Sequence, residues 1–218
     1  MKTRLLGALC ACFLVLPAVA NAAFYDFQQW VTDNSEQGFN NAAPFSLADG
    51  GLILTATAYE QPGMLDSHVY LDGLFNGVIG GMGVCTTLTG GNQCTPSSDD
   101  NVSIDGTHQE TLAWDFSSAI NGLTLELGDS VHVDFNNSFQ YSIDNGSTWL
   151  IDSTDVNGFV TLNFGSSTSK VEFRTVGAAT TDQFYIRNAT VVPIPPAVWL
   201  FASGLLGMIG IARRKKIV

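Results

Sequence analysis

Between Gly51 and Val192 the chain repeats one local pattern, in which apolar residues alternate with polar ones over short runs. "ETLAWDF" places Leu112, Trp114 and Phe116 on one face of an extended chain and Thr111, Ala113 and Asp115 on the other. "GLTLELGD" repeats the arrangement with Leu123, Leu125 and Leu127. "GGLILTATAYE", "HVYLDG", "NGVIGGMGVC", "SVHVDF", "FQYSI", "TWLID", "GFVTLNF", "SKVEFRTV" and "QFYIRNATVV" read the same way or as apolar runs. Side chains alternate across a strand, so period two means one buried and one wet face. Clusters of Gly, Asn, Asp and Ser separate the runs, and no long helical period intervenes. The expected fold is all-β: an antiparallel β-sandwich of about ten short strands, jelly-roll-like.

Both ends of the chain read differently. "MKTRLLGALCACFLVLPAVANA" has Lys2 and Arg4, then an apolar stretch from Leu5 to Leu16, then Pro17. Ala20-Asn21-Ala22 supplies small residues at −3 and −1, so cleavage is expected between Ala22 and Ala23. Residues 1–22 are thus a signal peptide, with the Sec translocon and signal peptidase as partners. At the other end, Val192-Pro193-Ile194-Pro195-Pro196 cannot be helix interior, because proline removes donors and fixes the backbone. Ala197 to Ala212 are 16 apolar or small residues. As a helix they reach roughly 24 Å, a thin single transmembrane span. Arg213, Arg214, Lys215 and Lys216 stop it, and positive residues mark the cytoplasmic side. The expected division is signal peptide 1–22, β-sandwich domain 23–191 and C-terminal segment 192–218.

Charge narrows the function classes. All twenty acidic residues lie between Asp26 and Asp182, whereas only Lys170, Arg174 and Arg187 are basic between the two end segments. Such a surface repels phosphate backbones, which excludes nucleic acid as a partner. Cys10 and Cys12 leave with the signal peptide. Cys85 and Cys94 flank the loop "CTTLTGGNQC" in an exported protein and are expected to form a disulfide.

The motifs point away from catalysis. "SIDNGSTW" resembles the Asp-box turn of sialidases and other propeller proteins, where it is structural. Here Asp144-Asn145-Gly146 would make the turn, Ser142 and Asp144 would bond its backbone, and Trp149 would pack beneath. No G-x-S-x-G and no paired-histidine helix occurs, and His132 reads as a strand residue on the polar face. No catalytic residue is expected. "SSDDNVSIDG" offers Asp99, Asp100 and Asp105 as oxygen ligands for Ca2+, although the EF-hand spacing is absent and a solvated loop is the simpler reading. No cofactor is required.

The tail resembles the C-terminal sorting signals of the PEP-CTERM class, in the variant whose signature is Val-Pro-Leu-Pro-Ala. Val192 to Pro196 departs from it at Ile194 and Pro196, and the segment through Gly207 and the basic cluster follows the pattern. The resemblance covers about 25 residues. It implies a Gram-negative bacterium and a membrane-embedded exosortase that reads the motif. After an inner-membrane intermediate, it implies delivery to the cell surface or exopolysaccharide matrix. "GGMGVC", "ETLAWDF" and "YSIDNGSTW" resemble, more loosely, domains that carry such tails. The expected function is that of an exported surface protein working by adhesion or exopolysaccharide binding. A secreted glycan-active enzyme and a calcium-dependent carbohydrate-binding module are the alternatives.

Overall fold

Strand formation follows the alternating pattern, but two strands are far longer than the sequence runs. The computed structural model describes residues 22–62, 65–105 and 107–192, all within one compact unit. In chain order the elements are β1 (Phe24–Asp26), α1 (Phe27–Asn34), β2 (Gln37–Phe39), β3 (Phe45–Asp49), β4 (Leu52–Gln61) and β5 (Leu65–Phe75). They continue with β6 (Val78–Cys85), β7 (Ile104–Asp105), β8 (His108–Asp129), β9 (Ser138–Ser142), β10 (Leu150–Ser153), β11 (Phe159–Thr175) and β12 (Phe184–Val192). The described residues are mostly β, as expected, and the strand pairings are antiparallel.

β8 runs for 22 residues and is the spine of the fold. It joins "ETLAWDF" and "GLTLELGD" through Ser117, Ser118 and Ala119, which are exposed. Before that segment β8 pairs with β4 and the end of β11; after it, with β12 and the start of β11. β11 shifts register between Asn163 and Lys170, where the sheet turns its corner. β4 also pairs with β5, β5 with β6, and β6 with β12. These five strands close a hydrogen-bonded circuit, so none of them offers a free edge along its paired length.

The core lies inside this circuit and is aromatic. Trp114 is fully buried, with Phe173 at 4.9 Å, Phe27 at 5.6 Å and Phe116 at 6.3 Å between ring centroids. The Phe173 and Phe116 rings meet it edge-to-face and Phe27 is tilted, and such contacts add to the area they bury. Its indole Nε1–H finds Met82 Sδ at 3.2 Å. α1 is too short for a helical period to show in the sequence. Asp26 caps it by accepting from Gln29 N–H at 2.8 Å, and Phe27 and Val31 bury its inner face.

Two expectations about faces fail. Thr111 and Ala113 were expected on a wet face but are buried, because Tyr59, Glu172 and the turn around Asn145 cover that side of β4 and β8. Glu110, also fully buried, accepts from Ser103 N–H and Oγ–H at 2.8 Å each. Burial, and then the charge of Asp99, raise its carboxyl well above the ordinary range. "SVHVDF" is not a strand. Asp129 Oδ1 accepts from Val131 N–H and Val133 N–H, closing a turn in which His132 adopts a positive φ of 62°. The valines point to solvent and His132 is buried, the reverse of the strand reading.

Candidate functional site

The site begins with glycines. β5 and β6 pair so that Tyr70 lies opposite Gly83 and Asp72 opposite Gly81. Val69 and Leu71 point into the core, so Tyr70 and Asp72 point to the other face, where β6 has no side chains at those positions. A Cβ at Gly83 would collide with the Asp100 carbonyl oxygen and lie 2.8 Å from Asn101 Cα. One at Gly81 would lie 2.6 Å from Ile186 O, and one at Gly80 would lie 2.5 Å from Asp72 Oδ2 and 3.0 Å from His132 Nε2. Three glycines thus form a floor against which the Asp100–Asn101 backbone, β12 and the Asp72–His132 pair all pack.

Over this floor opens a cavity of about 600 Å³ lined by Glu36, Tyr70, Asp72, Phe75, Asp100, Asn101, His132 and Tyr185 among others. His132 Nε2 lies 2.6 Å from Asp72 Oδ2, and its Nδ1 lies 2.8 Å from the Val78 carbonyl oxygen. Both ring nitrogens face acceptors, which favours the imidazolium. Burial opposes that charge, but the bonds to Asp72 and Val78 outweigh it and raise the His132 pKa above its ordinary value. The ring packs edge-on between Phe75 and Tyr185, at 5.6 Å and 5.1 Å.

Asp100 accepts a hydrogen bond from the Tyr185 hydroxyl. Burial, and then repulsion from Asp72, push its carboxyl up to about 6, against the pull of the Tyr185 bond and of His132. Tyr185 is raised above the ordinary phenol value by burial and by Asp100, so it remains a donor. Tyr70 Oη lies 3.2 Å from Gln93 Oε1 and 3.4 Å from Glu36 Oε1. Behind His132, Arg187 binds the His132 carbonyl at 2.8 Å and Asp134 at 2.7 Å.

Comparison with family models, with curated proteins and with solved structures finds no match to this chain.

The sequence-expected residues fall as follows. Cys85 and Cys94 form the disulfide, Cα–Cα 5.8 Å, and the hairpin it closes borders the cavity through Gln93 and Cys94. In the Asp99–Asp105 loop the two described carboxyls meet different partners. Asp99 Oδ2 accepts Thr86 N–H, Asp100 turns to Tyr185, and the Asp105 side chain lies outside the described residues. Among the described residues, the one group of three potential metal-ligand atoms within 4.8 Å is Cys85, Cys94 and Asp99, and the disulfide takes both sulfurs. The Asp-box turn forms as expected. Gly146 N–H donates to Ser142 Oγ at 2.9 Å and Thr148 N–H to Asp144 Oδ1 at 2.8 Å. The Trp149 ring lies under Gly146 and carries Arg174 at 3.8 Å.

Ala22 is exposed, and Ala23 is buried with its carbonyl accepting Val191 N–H at 2.8 Å. Ala20 and the rest of the signal segment lie outside the described residues. So do Pro193, Ile194, Pro195, Pro196, Arg213, Arg214, Lys215, Lys216 and the side chain of Val192, which ends β12. Among the described residues no helix is long and apolar enough to cross a membrane.

Sequence reasoning singled out Asp100 for another purpose and missed Glu36, Asp72, His132 and Tyr185 as a set. A glycine run inside a strand signals a close approach by backbone or ligand. "GGMG" was therefore the available pointer to the site.

Proposed function

We propose that this is an exported surface protein that binds saccharide of the exopolysaccharide matrix through the cavity over β6. The observation that carries the reading is the cavity's mixture of groups. Oriented carboxylates and hydroxyls suit sugar hydroxyls, and Phe75 with Leu74 gives an apolar rim for a ring's C–H face. The single antiparallel sheet folding around one core at β8 and β11 agrees with a jelly-roll-like sandwich. The full-length protein is expected to bind purified matrix polysaccharide saturably, and Asp100→Asn to weaken binding at least about tenfold. Absence of saturable binding overturns the reading.

Delivery is the second part of the proposal. The signal segment exports the chain, and Val192 to Pro196 with the basic cluster Arg213–Lys216 directs it through an exosortase to the surface. Replacing Pro193 and Pro195 with alanine should leave export intact and hold the protein at the inner membrane. Fractionation of cells decides this, and unchanged surface delivery refutes the sorting role.

One observation favours a glycan-active enzyme as the other reading. Asp100, held near 6, faces the same cavity as Asp72, which is paired with His132. Carboxyls in unlike environments suit acid–base work on a glycosidic bond. New reducing ends that appear with the native protein and not with Asp100→Asn would favour it.

A further inference from the structure

Resting on the saccharide-binding reading, we infer that the cavity over β6 selects a ligand bearing a protonated amine, specifically an amino-sugar unit of the glucosamine kind. The first argument is the state of the buried polar groups. The Tyr185 hydroxyl is spent on Asp100, and Tyr70 faces Glu36 and Gln93. Both His132 nitrogens are committed, one to Asp72 and one to the Val78 carbonyl. Ser97, Ser98, Ser130 and Gln183 also line the space, but apart from His132 its charged groups are all acceptors: the carboxylates of Glu36, Asp72 and Asp100, with the Asn101 amide beside them. Asn101 is 2 % exposed, and its Oδ1 has no hydrogen-bond partner. A buried acceptor without a donor is costly, and a ligand N–H relieves it.

The second argument is charge. Three carboxylates meet one cation, the His132 ring, and no lysine or arginine lines the cavity. Arg187 is turned away, towards Asp134 and Glu126. The Asp100 carboxyl feels Asp72 on β5, His132 after β8 and Tyr185 on β12, while β6 meets the Asp100 backbone with Gly83. Uronates and sulfated sugars are repelled by this arrangement. A metal ion would need ligand atoms drawn together, and those of Glu36, Asp72 and Asp100 do not form a group within 4.8 Å. An ammonium, compact and carrying several donors, needs only one or two carboxylates. The volume of about 600 Å³ leaves space for the ring that carries it.

The test uses the purified full-length protein and three oligosaccharides of equal length, built from glucosamine, N-acetylglucosamine or glucose. Calorimetry is run at about pH 6.5, between the ordinary carboxyl and amine ranges. The glucosamine oligomer is expected to bind at least about tenfold more tightly than either other, a difference of about 1.4 kcal/mol. Asp100→Asn should abolish this preference while leaving near-ultraviolet circular dichroism unchanged. Asp33→Asn, at the exposed end of α1, removes one charge away from the cavity and should keep the preference. Equal affinity for all three overturns the inference and leaves the saccharide reading standing. Equal loss in Asp33→Asn and Asp100→Asn also overturns it, since the preference would then belong to the general field of an acidic domain. Absence of binding by all three overturns the inference, while the isotherm with matrix polysaccharide decides the saccharide reading.

Discussion

Gly83→Ala is expected to lower the melting temperature by about 5–10 °C and, on the proposed reading, to weaken saccharide binding with it. The added Cβ has no room to rotate away, because what it meets is backbone: the Asp100 carbonyl oxygen and Asn101 Cα. Overpacking against backbone costs about 1–3 kcal/mol. In a domain of this size each kcal/mol moves the midpoint by about 2–4 °C. Gly83 is followed by fully buried Val84 and Cys85, so β6 cannot slide outward to relieve the clash. The Asp100–Asn101 segment must move instead, and it carries two cavity groups. Thermal unfolding and a binding isotherm on the same variant check both effects. An unchanged melting temperature would show that the segment yields freely, and would remove the rigid floor from the site. Gly90→Ala, which meets open space, is the control and should change neither quantity.

Loss of the disulfide is the second large effect. Cys85→Ser with Cys94→Ser reopens a loop of nine residues' separation. Loop-closure entropy for so short a ring is worth about 2–3 kcal/mol, which corresponds to a fall of about 5–10 °C. The consequence for binding follows from position. Tyr70 packs with Cys85, Cys94 and Leu88 in a small cluster of its own, separate from the main core. Gln93, next to Cys94, faces the Tyr70 hydroxyl and also donates to the Glu36 carbonyl at 3.2 Å. Opening the ring therefore loosens the Tyr70–Glu36 side of the cavity, while Asp72 and His132 on the other side stay fixed. The double variant should lose affinity less than Asp100→Asn does. A melting temperature equal to that of the native protein, with thiols confirmed absent, would refute the stabilising role.

What the sequence revealed depended on the range of each signal. Period two is local, so the strands, the disulfide hairpin and the Asp-box turn were legible. Leu112, Trp114 and Phe116 are buried as their alternation says. Their neighbours Thr111 and Ala113 defeat the rule, because whether a second layer covers a strand is decided by residues as distant as Tyr59 and Glu172. His132 defeats it for a different reason. A valine on each side imitates a strand, yet Asp129 takes both valine N–H groups and turns the chain there. The cavity is the extreme case. Its groups come from α1's end, β5, the loop after β6, the turn after β8 and β12, and the pairs that bond each other, Asp72 with His132 and Asp100 with Tyr185, lie far apart in the chain. Only the glycine run marked the place, by marking where side chains are missing.

β12 begins beside Tyr185 in the cavity and ends at Val192, where the proline segment starts. It is the direct mechanical link between anything held in the pocket and anything holding the tail. Load on that link runs along the strand over roughly 30 Å. Along this length β12 is paired with β8 from Phe184 to Val192. Tension applied that way strains these hydrogen bonds together, in shear. Tension between the two chain ends acts otherwise: β1 lies against the end of β12, with Phe24 opposite Thr190, and would peel away one bond at a time. On the proposed reading, a chain held through its C-terminal segment while ligand is bound at Asp100 and Tyr185 would meet flow in its stronger direction.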